Sequence, residues 1–502
     1  MGSAVPTRVR FGVLAFACSL SLLTYLDRVC ISRAAEDIQT DLCITQVGMG
    51  LAFGAFAVGY ALFEVPGGWM GDVWGSRSVL TRIVLWWSAF TALTGGIDLL
   101  LGLSLGKLAS PAVVLASLVT VRFLFGCGEA GAYPNLARVT RSWFPFPERG
   151  LAQGSIWMSA RLGGAMAPVV IGRLSDWLGW RQAFWVLGLL GFGWVAIFWL
   201  WFRNTPAEKP ECNDAERELI RGGPIEAAAR EEIGHPSPPW GQMFLSLTMW
   251  ALCVASFCVS FGWYFYPTWQ PKYLKDVHGI EYSGSEVLTG LPFLCGAVGS
   301  LTGGRLSDRL VRRIGRRWGR SLVGVLGFAG AGLCVFASAL VGQWWQAVAL
   351  LCLAFFVNDL AIPPIWAVCA DIGGRHAGSV SGTMNMTGAV GAVLSPFLTP
   401  VILLAVPASF NPQEKWTVVF AILASAWLVG AVAWLFIDAS RPLVPAALSG
   451  VPEPFRLQPA ALDEAIQVAG QEHPHAAQPR QQGAAEDRAE PDAERLPRRE
   501  RD

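Results

Sequence analysis

Between residues 11 and 437 the chain repeats long apolar runs, about twelve of them. As a helix, each is long enough to cross a hydrocarbon core about 30 Å thick. Backbone amides have no water to bond in that layer, so a crossing segment must be an α-helix or part of a closed barrel. Barrel strands would alternate in polarity over roughly ten residues, and no such alternation is present. The composition agrees: 15% of residues are charged, against roughly 25% in soluble domains. The sequence predicts an all-α membrane protein. The first six runs fall at about 11–32, 48–70, 79–100, 112–135, 151–172 and 182–202. Six more follow at about 244–270, 285–304, 321–341, 345–370, 378–405 and 416–437. Four parts follow from this spacing: a six-helix half over 1–202, a linker over 203–243, a second six-helix half over 244–440, and a tail over 441–502. The linker is polar and Pro-rich, with one short helical patch, A-E-R-E-L-I-R. The tail is rich in Pro, Gln, Ala, Arg and Glu and reads as disordered.

Arg and Lys concentrate in the even-numbered loops and at the N-terminus. The positive-inside rule then puts both termini in the cytoplasm and the chain in the inner or plasma membrane of the cell. Basic residues confined to short loops are a topology signal, so no nucleic-acid partner is expected. Residues 11–32 form too long a run, with Asp27 and Arg28 inside it, to be a cleaved signal peptide. The eleven cysteines follow no metal or disulfide spacing. No phosphate-binding loop of the G-x-x-x-x-G-K-[ST] kind is present. His235, His278, His376, His473 and His475 lie in loops or the tail. Neither an enzyme nor a bound cofactor or metal is expected.

A few charged residues break the apolar runs. A charge in the bilayer costs roughly 2.5–3.5 kcal/mol on insertion scales, and such residues usually face a bundle interior and mark function. In R-F-L-F-G-C-G-E-A-G-A-Y-P-N (Arg122–Asn135), Arg122 and Glu129 are seven residues apart. On a helix that is one face, about 10 Å along the axis. Arg122 is the best anion binder by chemistry, because a guanidinium keeps its charge when buried and grips a carboxylate bidentately; it could equally be a structural partner of Glu129. Asp27 and Arg28 are adjacent in span one. Arg161 lies twelve residues past Arg149, and Asp359 twelve before Asp371, which puts both near mid-membrane. Arg161 is a second candidate anion contact, and Arg161 with Asp359 a candidate gate pair between the halves. Glu64, in span two, reads as an ion-pair member. Tyr25, Tyr60, Tyr264, Tyr266 and Trp269 could line a cavity or simply pack, and Asn385 is a candidate polar contact.

The halves also echo each other. G-W-M-G-D-V-W-G-S-R (Gly68–Arg77) follows span two, and G-R-L-S-D-R-L-V-R-R-I-G-R-R (Gly304–Arg317) follows span eight. Asp72, Arg77, Asp308 and Arg149 are candidate members of a charge lock between helix ends. Duplicated six-helix halves are the organisation of a secondary transporter with its solute site at mid-membrane.

Gly68–Arg77 resembles the loop signature of the major facilitator superfamily, with Val73 and Ser76 standing where basic residues are usual. Five stretches are similar to its anion:cation symporter family: Tyr25–Ser32, Arg122–Asn135, Trp143–Gly150, Tyr266–Leu274 and Ser381–Gly388. That family includes hexuronate, galactonate and glucarate proton symporters and sialin-type carriers. The resemblance implies twelve spans in two pseudo-symmetric halves. It implies protonation at Asp27 and Glu129, and anion sensing by Arg28. Read from the residues themselves, substrate contacts would come from Arg28, Arg122, Arg161, Tyr60, Tyr264, Trp269 and Asn385; Arg161 stands where many members of that family carry small or neutral residues. The function expected is proton-coupled symport of a small organic anion, most simply a sugar acid such as a hexuronate or aldonate, by a monomer in lipid, with sodium as the alternative coupling ion. Rival readings are a phosphate or dicarboxylate carrier, an uncoupled facilitator, and a membrane solute sensor.

Overall fold

The computed structural model describes residues 5–97, 111–221, 238–280 and 282–443, and within them each apolar run is built of helix; the last residues of the third run, 98–100, lie outside the described residues. In the first half, span one is Val9–Arg33, span two Gln46–Trp74, span three Ser76–Gly95, span five Arg149–Leu178 and span six Trp180–Trp201. In the second half, span ten is Trp344–Ile372, span eleven Ala377–Ala405 and span twelve Pro412–Leu435. Local sequence sets several of these starts. The Thr45 hydroxyl accepts from the Gly48 amide at the head of span two. Asn411 and Glu414 form a reciprocal capping box ahead of span twelve, which satisfies amides that have no partner within the helix.

Span four differs from the sequence expectation. It is two helices, Pro111–Glu129 and Ala132–Trp143, joined at Gly131 with φ of 84°. Only glycine adopts that left-handed backbone at no steric cost. Pro134 then falls in the first turn of the second helix, where its missing amide has no partner to lose. The helix therefore continues past residue 135, and Arg138 and Arg141 ride on it instead of in a loop. Span seven is similarly divided, into Leu247–Trp263 and Phe265–His278. Spans eight and nine run through Tyr282–Ser338 and part at Gly315, with φ of 81°.

The packing repeats between halves. Span one packs on five, two on four and three on six; in the second half seven packs on eleven, eight on ten and nine on twelve. The halves meet along two seams, span two against eleven and span five against eight. Exchanging the halves, with six added to the first-half number and subtracted from the second-half one, turns one seam into the other (two to eight, eleven to five), so the fold is twelve spans in two pseudo-symmetric halves. Gly68 meets Gly378 on one seam and Gly150 meets Gly304 on the other, each so close that a Cβ would strike the opposing carbonyl.

Ahead of span one, residues 5–10 are held by the helical patch of the linker, Asp214–Arg221. Glu216 is buried and accepts from the Thr7 hydroxyl at 2.6 Å, the amides of Val9 and Arg10 at 3.1 and 3.2 Å, and the Arg10 guanidinium at 3.0 Å. Arg10 also reaches Glu148, between spans four and five, at 2.9 Å. The N-terminus, the linker and the even-numbered loops thus share one end of the bundle. Residues 222–237 of the linker and 444–502 of the tail lie outside the described residues. Burial pushes the Glu216 carboxyl up, but hydrogen bonds from Thr7, Arg10 and Val9 outweigh it and hold the carboxyl below the usual glutamate range. A depressed carboxyl contributes stability above its unfolded value, about 4.3, and loses it as pH falls through the lowered folded value. Hydrogen exchange should find residues 5–10 protected at neutral pH and released in acid below that range. Glu216→Gln should loosen them at neutral pH by about 2 kcal/mol; equal protection in the variant would refute the clasp.

Candidate functional site

Span one brings Asp27 and Arg28 against span four. Arg28 Nε lies 3.1 Å from Glu129 Oε1, and a second guanidinium nitrogen reaches the same oxygen. Glu129 is therefore held by Arg28 and not by Arg122, which shares its helix. The reason is geometric: Arg122 is turned between aromatic rings, 4.6 Å over Phe125 and 5.1 Å over Phe56. Arg122 is 2% exposed, its Nε has no hydrogen-bond partner, and it makes no ion pair among the described residues. Asp27 is buried beside it with Oδ1 unpartnered. Asp27 and Arg28 do face different ways, as adjacent helical residues must.

The structure also brings Arg161 and Asp359 together across the two halves. Arg161 Nε donates to Asp359 Oδ2 at 2.6 Å and its second terminal nitrogen to Oδ1 at 3.2 Å. Asp359 accepts further bonds from Ser300 at 3.1 Å and Asn358 at 2.9 Å, and Asn358 is fixed in turn by Trp427 at 2.9 Å. Arg161 donates to the Tyr25 hydroxyl at 3.3 Å. The Tyr25 ring lies under Arg28 as well, with a centroid distance of 5.4 Å, so it joins the two charge clusters.

Tyr60 lies under Arg28 at 4.7 Å. Asn385, on span eleven, donates to the Tyr60 hydroxyl at 3.2 Å and to Glu64 Oε1 at 2.8 Å. Glu64 makes no ion pair among the described residues; an amide from the other half is bonded to it instead. Tyr264 sits at the break in span seven, within electrostatic reach of Arg28 and Arg161. Trp269 does not join the cluster, because its indole N–H donates to the Pro396 carbonyl at 3.1 Å. The span-seven tryptophan facing Arg161 is Trp263, at 4.9 Å, with Nε1 buried and unpartnered. The break at Tyr264, three residues ahead of Pro267, separates Trp263 from Trp269 and resets the helical phase between them.

At the end of the bundle bearing the even-numbered loops, the halves are closed in layers. Tyr133, Trp157 and Trp366 stack from spans four, five and ten, with centroids 4.6–5.9 Å apart. Beyond them Arg149 pairs with Asp371 at 2.8 Å. Asp72 accepts from the Gly378 and Ser379 amides, at 2.9 and 2.7 Å, at the head of span eleven. Asp308 accepts from the Gly150 and Leu151 amides, at 3.0 and 2.7 Å, at the head of span five. Each carboxylate thus satisfies first-turn amides across a seam and meets the positive end of a helix dipole. Arg138 reaches Asp72 at 3.4 Å and Arg320 reaches Asp308 at 2.8 Å. Arg77 has no part in this lock. Its chain is drawn over the Trp199 ring, 4.1 Å from the centroid, and onto the Trp199 carbonyl, within its own half. Arg320 and Arg138 were missed because many arginines crowd these ends, and only helix rotation selects which ones turn inward.

Residues 17–396 match the family model described as the Major Facilitator Superfamily. A probable sulfoacetate transporter of Cupriavidus necator, SauU, is 33% identical over 434 residues, covering 86% of this chain and 94% of that protein. A probable galactarate/D-glucarate transporter of Escherichia coli, GudP, is 30% identical over 431 residues, covering 83% and 92%. A hexuronate transporter of Bacillus subtilis is 28% identical over 394 residues, covering 78% and 87%. Among solved structures, the proton:xylose symporter XylE superposes with a TM-score of 0.65 at 17% identity, over 88% of this chain and 98% of that one.

The Arg161–Asp359 pair permits a sharp stability test. Arg161→Ala leaves a buried carboxylate unpaired and should cost about 3–5 kcal/mol. Arg161→Met with Asp359→Leu removes both charges and should recover most of it. Thermal unfolding in detergent reads both variants; a double variant no more stable than the single would show that the pair is not what holds these helices.

Proposed function

This chain belongs to the major facilitator superfamily, a family of membrane transporters and not of enzymes, and from that premise we propose that it is a proton-coupled symporter of small organic acids. The observation that carries the reading is Arg122: a buried guanidinium with no acid bonded to it among the described residues, beside two carboxyls that can titrate. A buried unpaired cation is unfavourable, so an anion with a carboxylate or sulfonate end is the natural partner.

Coupling follows from the way the charges are shared. Glu129 is ion-paired to Arg28. When Glu129 takes a proton, Arg28 is released and a second guanidinium becomes available beside Arg122. Two guanidiniums suit an acid with two charged ends. The relatives named for sulfoacetate and for galactarate or glucarate favour that class, and Tyr60, Tyr264 and Asn385 would meet hydroxyls of a sugar acid. Asp27 is the second proton acceptor, close enough to Arg122 to compete with the anion for it. Protonating Asp27 leaves Arg122 to the substrate. Arg161 is bound to Asp359 and closes the halves instead of holding substrate in this state. Alternating access then rocks the halves about the two seams, with Asp72, Asp308 and Arg149 releasing as the even-loop end opens. The arginine-rich even loops favour a cytoplasmic position for that end and for both termini, in the cell membrane.

Proteoliposome uptake tests the proposal with labelled sulfoacetate, galactarate and a hexuronate, with and without an inward proton gradient. One of these anions should accumulate, and only with the gradient. Asp27→Asn and Glu129→Gln should abolish gradient-driven accumulation, and Arg122→Lys should lower uptake at least about tenfold by losing bidentate geometry. Accumulation driven equally well without a gradient would exclude proton coupling; no uptake of any of the three would exclude the substrate class.

A further inference from the structure

Glu64 is fully buried, at 0% exposure. Its Oε1 accepts from Asn385 at 2.8 Å, and its Oε2 has no hydrogen-bond partner. No cation pairs with it among the described residues: Arg28 is committed to Glu129 and Arg161 to Asp359, and Arg122 lies between Phe125 and Phe56. Span one contributes Arg28 and span four Glu129 within its electrostatic reach. Span eleven contributes the uncharged Asn385, and its own helix Tyr60. The nearest competing acid thus holds the nearest cation. A carboxylate left ionised there would be desolvated, unpaired and beside a like charge, at a cost of several kcal/mol.

We infer that Glu64 is a third proton-binding carboxyl of the transport cycle, holding its proton while spans two and eleven are closed on each other and giving it to water when they part. The geometry ties the proton to the seam. Asn385 belongs to the opposite half, and Gly382 of span eleven packs directly on the Glu64 and Val65 backbone, which keeps water out. Opening that seam removes the amide and admits water, which solvates the carboxylate and takes up the proton; the O–H bond breaks and no other reactant is needed. The inference deepens the proton-coupled reading above and, for its transport consequence, rests on it.

Infrared difference spectroscopy of the purified full chain in nanodiscs, between neutral and alkaline buffer, tests proton occupancy without any substrate. The wild type should show a protonated-carboxyl band at neutral pH that Glu64→Gln removes and Glu64→Asp shifts. Gln keeps an oxygen for Asn385, so the seam contact survives in the first variant, and the Asp variant covers the case in which Gln fails to fold. Gradient-driven accumulation of the anion identified in the uptake experiment should then fall in Glu64→Gln by about tenfold per pH unit of gradient, the value of one coupled proton. A spectrum identical to wild type, or an unchanged accumulation ratio, overturns the inference. Failure of the transport reading looks different: the band is present and responds to both substitutions, but neither wild type nor variant accumulates any anion.

Discussion

The fold depends on keeping charges in hydrocarbon, each of which must find a partner or shed its charge. Arg28, Arg122 and Arg161 stand among Asp27, Glu64, Glu129 and Asp359 in the middle of the bundle. Two pairs are made, Arg28 with Glu129 and Arg161 with Asp359. Among the described residues, one cation and two acids remain without ion-pair partners. That imbalance cannot be relieved by packing. The proposed symport would relieve it with an anion at Arg122 and protons on the acids. The helices around the cluster are held in register by the same pairs, so the architecture and the proposed coupling draw on one set of contacts.

Closure at the even-loop end uses another device, a carboxylate from one half seated on the first-turn amides of a helix in the other. Asp72 on span eleven and Asp308 on span five are related by the internal symmetry. Charge-assisted hydrogen bonds contribute about 1.5–3 kcal/mol each, enough to favour a closed state and little enough to be undone by differential binding of substrate. The two locks are not equal. Arg320 seals Asp308 at 2.8 Å and also reaches Asp371, whereas Arg138 stands 3.4 Å from Asp72. The seam between spans five and eight is therefore the more tightly charged, and the seam between spans two and eleven is the looser one.

Much of the architecture was legible in the sequence because bilayer physics leaves few choices: apolar run length gives spans. The duplicated Gly–Asp stretches gave the halves. The depth of Arg161 and Asp359, each twelve residues from a loop charge, was enough to suggest that they meet, because depth along a helix is linear in sequence. Rotation about a helix is harder to read once kinks intervene. Gly131 and the break at Tyr264 reset the helical phase, which is why Trp263 and not Trp269 faces Arg161. Partner choice among several arginines was beyond the sequence for the same reason. Arg122 shares a face with Glu129 along its own helix, yet Arg28 from another helix reaches the carboxylate first.

The Arg161–Asp359 pair poses the remaining question, since a buried ion pair is often no more stable than apolar residues of the same volume. Its worth lies in what separation requires. While the halves are closed, the guanidinium has its carboxylate, the Tyr25 hydroxyl and three aromatic faces at 4.9–5.6 Å. Asp359 keeps Ser300 and Asn358 on its own half when the pair breaks, and so remains hydrogen-bonded. Among the described residues, Arg161 has only Tyr25 in its own half as a hydrogen-bond acceptor. Separation therefore exposes a cation, not an acid, and favours states in which water or an anion reaches span five. A neutral apolar contact would let the halves part with nothing to meet the gap; parting this ion pair uncovers a guanidinium that water or an anion must meet.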